Sequence, residues 1–375
     1  MGSIFISARE QHSGLGSTGW LNLYRSRRVS EASLFLRTLY IQEQGSMLRV
    51  ENGCFRVTCG HDDDVAELLE VQSIKVGQIV LFGACMITPA AIRHCLMNRI
   101  PVVLLSQHGE YFTRLESTDD VNIDLERLQF QRSAEESFPL ECSRTIVRAK
   151  LHNSGVLLRR HAESSGSEAL RHAATQLRQL EEHVDRADSI DAVRGYEGSG
   201  AATYFGVFED FFDTGGFIFR ERVKRPPTDP VNAMLSFGYS LLFNNIFSMA
   251  RLHRLHPYVG FLHADKPAHP ALVSDLIEEF RTLVDGLVIA LINKRLISPE
   301  EFTVARHDDG KPKGCYLSDG ARKTFLREFE NLMHRTTTHP ATGYEVTCRR
   351  CLDLQVGEFA LYLKGEKPYT PYLRR

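Results

Sequence analysis

Hydrophobic and polar positions recur every second residue in the first third of the chain and at helical spacing through most of the rest. "MLRVENGCFRVT" (47–58) reads as two alternating stretches about "ENG", the pattern of two strands joined by a tight turn. "SIKVGQIVLFGACM" (73–86) and "IPVVLLSQHGEYFTRL" (100–115) are also strand-like. Between them, "TPAAIRHCLMN" (88–98) offers Thr88 as N-cap and Pro89 as first residue of a short helix. These stretches predict a strand-rich domain over 37–120, preceded by a Ser/Gly/Arg-rich extension, 1–36, with no assignable role. Helical periodicity then covers 123–162, 167–187, 200–213, 230–252, 271–296 and 319–336, with Gly/Pro breaks at 213–216, 225–230 and 308–314. The predicted fold class is α+β: a small strand-rich N-terminal domain followed by a larger all-helical domain over 121–375.

Composition narrows this picture only slightly. A net charge of −2 over 375 residues carries no global signature of nucleic-acid binding, so any such role must rest on local basic patches. No apolar run reaches membrane-spanning length and the first residues lack a signal pattern, so a cytoplasmic protein is expected. The eight cysteines are then expected to be reduced thiols. Cys348 and Cys351 have C-x-x-C spacing but no second pair to complete a zinc site, and read as two thiols on a C-terminal helix.

Candidate chemistry lies in the helical part. Glu197, in "GYEGSGAATYF" (195–205), sits among Gly and Ala and is followed by aromatics, so it lies on or beside an apolar face, which is costly unless something binds it. "LHPYVGFLHADKPAHPALVSDLIEEFR" (255–281) presents His263, a Pro-containing loop, and a helix on which Asp275 and Glu278 share a face at i, i+3. This mixture of imidazole and carboxylates suits Mg²⁺ or Mn²⁺ better than structural zinc, and such an ion could polarise a phosphoryl oxygen. Spacing alone does not make the three groups converge; a structural His and a solvated acidic helix end fit it too. Two basic stretches could track phosphates or simply face water: 144–160, with Arg148 and Lys150 and no acidic residue, and 220–225, with Arg222 and Lys224.

Taken in order, "YEGSGAATYF" (196–205), "RPPTDPVNAMLSFGYSLL" (225–242), "HPYVGFLH" (256–263) and "DLIEEFR" (275–281) resemble the CRISPR-associated endonuclease/integrase of spacer acquisition, the first Cas protein. Weaker agreement over 82–115, 146–153, 316–323 and 359–373 extends the resemblance to about 38–375. The resemblance implies that Glu197, His263 and Glu278 are catalytic metal ligands for Mg²⁺ or Mn²⁺, with Asp275 as outer support. It implies a β-sandwich-like N-terminal module that forms a homodimer. Two dimers would flank a small ferredoxin-like partner, the second Cas protein, in a heterohexamer. That complex would insert short DNA duplexes into a repeat array by 3′-hydroxyl attack on a phosphodiester. Arg148, Lys150, Arg222 and Lys224 are the DNA-backbone candidates. The rival expectation from another class is a non-catalytic helical nucleic-acid scaffold in which the acids are structural. A metal hydrolase of small molecules is disfavoured, because the chain shows no nucleotide loop or apolar cofactor box.

Overall fold

The computed structural model describes residues 37–60, 66–117, 121–213, 216–224, 226–264, 266–306 and 312–374. The proposed extension 1–36 lies outside these residues. The chain divides into two compact units between Asp119 and Asp120.

The first unit runs β1 (Arg37–Ile41), β2 (Met47–Glu51), β3 (Cys54–Cys59), β4 (Ala66–Gln72), β5 (Val76–Phe82), β6 (Met86–Ile87), α1 (Pro89–Met97), β7 (Val102–Leu105) and β8 (Tyr111–Leu115). One sheet has the order β1-β5-β7-β8 and the other β4-β3-β2-β6. The "ENG" turn closes the β2–β3 hairpin with Glu51 opposite Cys54. Asn52 (φ 49°) and Gly53 (φ 76°) take the left-handed conformation that such a two-residue turn needs. Leu39, Ile41, Ile79, Leu81 and Val102 from the first sheet meet Leu48, Phe55 and Val57 from the second in one buried core, which Ala91 and Cys95 of α1 complete. Thr88 caps α1 as expected, its Oγ1 accepting from Ala91 N at 3.3 Å. β4 gave no clear alternation because it is an edge strand with Glu67 and Glu70 on it and no fully buried residue.

The second unit contains α2 (Ile123–Ser133), α3 (Ser137–Ser165), α4 (Glu168–Val184), α5 (Ile190–Gly206), α6 (Pro230–Leu252), α7 (Ala271–Ile277), α8 (Arg281–Asn293), α9 (Asp319–His334) and α10 (Cys348–Leu363). It is not all-helical. β9 (Phe302–Arg306) pairs with β10 (Pro312–Leu317), and β11 (Thr336–Thr338) with β12 (Glu345–Thr347). These strands are too short, or too close to the "DDGKPKG" break, for a period of two to show. All eight cysteines are free, and Cys348 and Cys351 are buried on α10. No helix among the described residues is long and apolar enough to cross a membrane.

Two departures from the predicted helices position the site. α5 begins ten residues before the predicted 200, capped by Ser189, so Glu197 lies in mid-helix. The predicted helix 271–296 is interrupted by a 3₁₀ turn, Glu278–Phe280, between α7 and α8.

Candidate active site

Four elements of the second unit bring the acidic and basic groups together. α3 supplies Lys150, α5 supplies Glu197, the 3₁₀ turn supplies Glu278, and the segment between α6 and α7 supplies His263. Gly200 lets α5 approach α3, since a Cβ there would stand 2.2 Å from Leu151 Cδ2. Gly198 has nothing within 4 Å of its own Cβ position, so of these two glycines only Gly200 serves close packing.

Lys150 Nζ donates to Glu197 Oε1 and lies 2.7 Å from Glu278 Oε2. One ammonium therefore binds both carboxylates, which lie 81 positions apart in sequence. Glu278 is 3% exposed and also accepts from Arg281 Nε at 2.9 Å. Burial pushes its carboxyl upward, but the charges of Arg281 and Lys150 overcome this and hold it down at about 2. The same pairing raises the guanidinium of Arg281 against its own burial.

His263 is oriented by its surroundings. Asp275, fully buried on α7, places Oδ1 2.7 Å from His263 Nδ1 and 2.9 Å from its main-chain nitrogen. Its Oδ2 accepts from Phe261 N at 2.6 Å and Leu262 N at 3.1 Å. Gln129 of α2 grips the same segment, donating to His256 O (2.9 Å) and Val259 O (2.7 Å), and Ser143 of α3 donates to Phe261 O (3.1 Å). Arg194 of α5 donates to Leu262 O at 2.8 Å. With Nδ1 turned to Asp275, Nε2 is the ring nitrogen that Asp275 does not engage. His263 is near enough to Glu278 for its charge to act on that carboxyl. Among the described residues, however, no three His, Cys, Asp or Glu side chains stand together as a metal-holding set.

A shell of residues that the sequence did not single out supports this arrangement. Glu279 is fully buried and turns away from Glu278; its Oε1 accepts from Tyr369 and its Oε2 from Tyr372 N at 2.7 Å. Burial pushes this carboxyl up to about 7, against the pull of those donors. Asn153 of α3 binds Glu279 O (2.8 Å), Tyr372 O (2.9 Å) and Arg374 N (2.6 Å), so the C-terminal strap clamps the turn that carries Glu278. Asp285 accepts from Tyr204 of α5 at 3.0 Å and from Tyr239 of α6. Tyr239 also lies under the guanidiniums of Arg281 (4.7 Å) and Arg222 (5.5 Å). The signal for Arg281 was present in "DLIEEFR", three residues after Glu278; the others read as ordinary helix or tail residues.

The four basic candidates divide. Lys150 faces the carboxylates instead of an open surface, because two anions converge where its ammonium ends. Arg222 turns inward, donating to Asn232 Oδ1 (2.8 Å) and Ser236 Oγ (3.1 Å), and burial lowers its pKa. Lys224 is lowered by burial and by the Arg281 and Lys150 charges, which places it beside the site. Arg148 is half-buried, pairs with Asp185 at 3.3 Å, and lines a groove of mixed charge with Arg159, Arg178, Glu181 and Glu182.

The family described as "CRISPR associated protein Cas1" matches residues 39–331. The chain is 33% identical over 341 residues to a Cas4 exonuclease/Cas1 endonuclease fusion of Geobacter sulfurreducens, covering 89% of this chain but 59% of that protein. It is 33% identical over 339 residues to CRISPR-associated endonuclease Cas1 3 of Thermus thermophilus, covering 90% and 97%. Two solved structures share the fold. One is a Cas6-RT-Cas1–Cas2 complex (TM-score 0.75, 23% identity, 91% of this chain and 36% of that one). The other is a casposase bound to integration product (TM-score 0.75, 23% identity, 88% and 92%).

Proposed function

This chain belongs to the CRISPR-associated Cas1 family, and on that footing we propose that it is a divalent-metal-dependent DNA endonuclease and integrase. It inserts short duplexes into a repeat array. The observation that carries the reading is the convergence of Glu197 and Glu278 on a single cationic atom, Lys150 Nζ. The donor chemistry fits a hard divalent ion: two carboxylates already turned to one positive charge, with an imidazole nearby whose Nε2 is not engaged by Asp275. Glu197, Glu278 and His263 would hold Mg²⁺ or Mn²⁺. When bound, the ion supplies Lewis-acid polarisation of the phosphoryl group and charge neutralisation in the transition state.

The chain's own residues do the rest. Asp275 fixes the ring of His263, Arg281 fixes Glu278, and the cationic edge formed with Lys224 draws an anionic phosphodiester toward the carboxylates. In strand transfer, the 3′-oxygen of the incoming fragment forms a new P–O bond as the target strand's P–O bond breaks. Its proton leaves and the departing oxygen takes one up, so one phosphodiester replaces another without a covalent enzyme intermediate. The fold it shares with a casposase bound to integration product is consistent with this chemistry.

The proposed partners are a second copy of the chain, the small ferredoxin-like second Cas protein in a heterohexamer, and double-stranded DNA. The Cas1–Cas2 complex of the same fold suits the second partner. The test is transfer of a labelled duplex with free 3′ ends into a leader–repeat plasmid, with the partner present and with Mg²⁺, Mn²⁺ or chelator. Branched product that requires metal and vanishes in folded His263→Ala supports the reading. Bound DNA without product under any metal, with a partner proven active, supports the scaffold.

A further inference from the structure

Lys150 is an unusual basic residue for a DNA-binding face, because its charge is spent inside the protein. Its side chain is 14% exposed and its ammonium bridges Glu197 and Glu278. Glu278 already has Arg281 as a counter-charge at 2.9 Å, so its neutrality does not require Lys150. Lys150 instead holds the two carboxylates facing one point, and that point is where a divalent ion would sit. A bound Mg²⁺ needs carboxylate oxygens at about 2.0–2.1 Å. A divalent cation drawn between the same two carboxylates would meet the ammonium there, and two cations so close repel each other.

Resting on the metal-dependent reading above, we propose that Lys150 is a tethered counter-ion that competes with the metal for Glu197 and Glu278. It keeps the carboxylates gathered while the metal is away and withdraws when the metal binds. The withdrawn ammonium, released beside Lys224, then meets a phosphate oxygen of the DNA. DNA stabilises the withdrawn position and the metal requires it, so the two ligands bind cooperatively through this one side chain. Reciprocity then makes DNA tighten metal binding by the same factor that metal tightens DNA binding. The device keeps the site weakly loaded until substrate arrives.

The test measures Mn²⁺ affinity directly, by the loss of the free-ion electron paramagnetic resonance signal, in the full chain with and without a short duplex. Wild type is compared with Lys150→Met and with Lys150→Gln, which keeps a hydrogen-bond donor without the charge. Both variants are expected to bind Mn²⁺ about tenfold tighter than wild type without DNA, within the range of ordinary coupling between sites. DNA is expected to tighten binding in wild type and to leave the variants nearly unchanged. In chelator both variants are expected to melt below wild type, Lys150→Met the lower, with Mn²⁺ restoring more of the loss than it adds to wild type. Equal or weaker Mn²⁺ binding by folded Lys150→Gln overturns the competition. If wild type and both variants fail to bind Mn²⁺ at millimolar concentration, the metal-dependent reading falls, and the competition with it.

Discussion

Asp275 holds His263 at two points, with Oδ1 2.7 Å from the ring Nδ1 and 2.9 Å from the main-chain nitrogen, while Oδ2 serves Phe261 and Leu262. A buried carboxylate that satisfies three consecutive backbone N–H groups is as much a part of the fold as of the site. Asp275→Ala leaves those donors buried without an acceptor, at about 1–3 kcal/mol each. Its urea midpoint should fall by an amount equivalent to more than about 3 kcal/mol. His263→Ala, which removes a ring 37% exposed, should change stability by less than about 1 kcal/mol. Equal stability of the two variants would refute this division of roles.

The two carboxylates should behave differently on neutralisation. Glu197 is 30% exposed, so Glu197→Gln is expected to melt close to wild type and yet lose at least about 100-fold in strand transfer. Glu278→Gln should lose the same activity and also destabilise the fold, because it leaves half-buried Arg281 without its nearest counter-charge. Paired thermal melts and transfer rates check both statements. A Glu197→Gln protein with normal activity would remove that residue from the chemistry.

Glycines of one helix give a packing test. Gly200→Ala places its Cβ 2.2 Å from Leu151 Cδ2, next to Lys150 on α3, and should cost about 1–3 kcal/mol. Gly198→Ala meets nothing within 4 Å and should be neutral or stabilise by up to about 1 kcal/mol through helix propensity. Chemical denaturation of the two variants decides whether α5 is pressed against α3 only at Gly200.

Asp285 supplies a pH dependence. Burial raises its carboxyl from 3.8 to about 6, although Tyr239 and Tyr204 donate to it. Between these values the folded protein holds a proton that the unfolded chain has released, so this group's favourable contribution is full below pH about 4 and is lost as pH rises to about 6. Asp285→Asn lacks that titration, so its stability relative to wild type should improve across the same interval. Urea midpoints for both proteins at several pH values test this. A constant difference would show that Asp285 does not titrate there.

The pattern of the chain determined a good deal. Alternation about "ENG" specified the β2–β3 hairpin, because Asn52-Gly53 is chemistry for a two-residue turn that acts without distant partners. Thr88-Pro89 likewise specified the start of α1. The unusual setting of Glu197 and the i, i+3 pair Asp275 and Glu278 drew attention to stretches that the fold gathers around Lys150 and His263, because each is a short-range anomaly. Tertiary structure decided the rest. Helix α5 holds together despite four glycines, Gly195, Gly198, Gly200 and Gly206, that lower its own propensity, with Gly200 packed on Leu151 of α3. The 3₁₀ turn lies inside what periodicity reads as one helix, and sends Glu278 toward Lys150 and Arg281 but Glu279 toward Tyr369 and Tyr372. Lys150 and Arg148 stand two positions apart in one basic run, yet one bridges two buried-side carboxylates and the other faces a solvent groove. Propensity and periodicity act over a few residues, whereas the partner of a charge is whatever the folded chain brings within about 4 Å of it, and here that partner comes from helices far away in sequence.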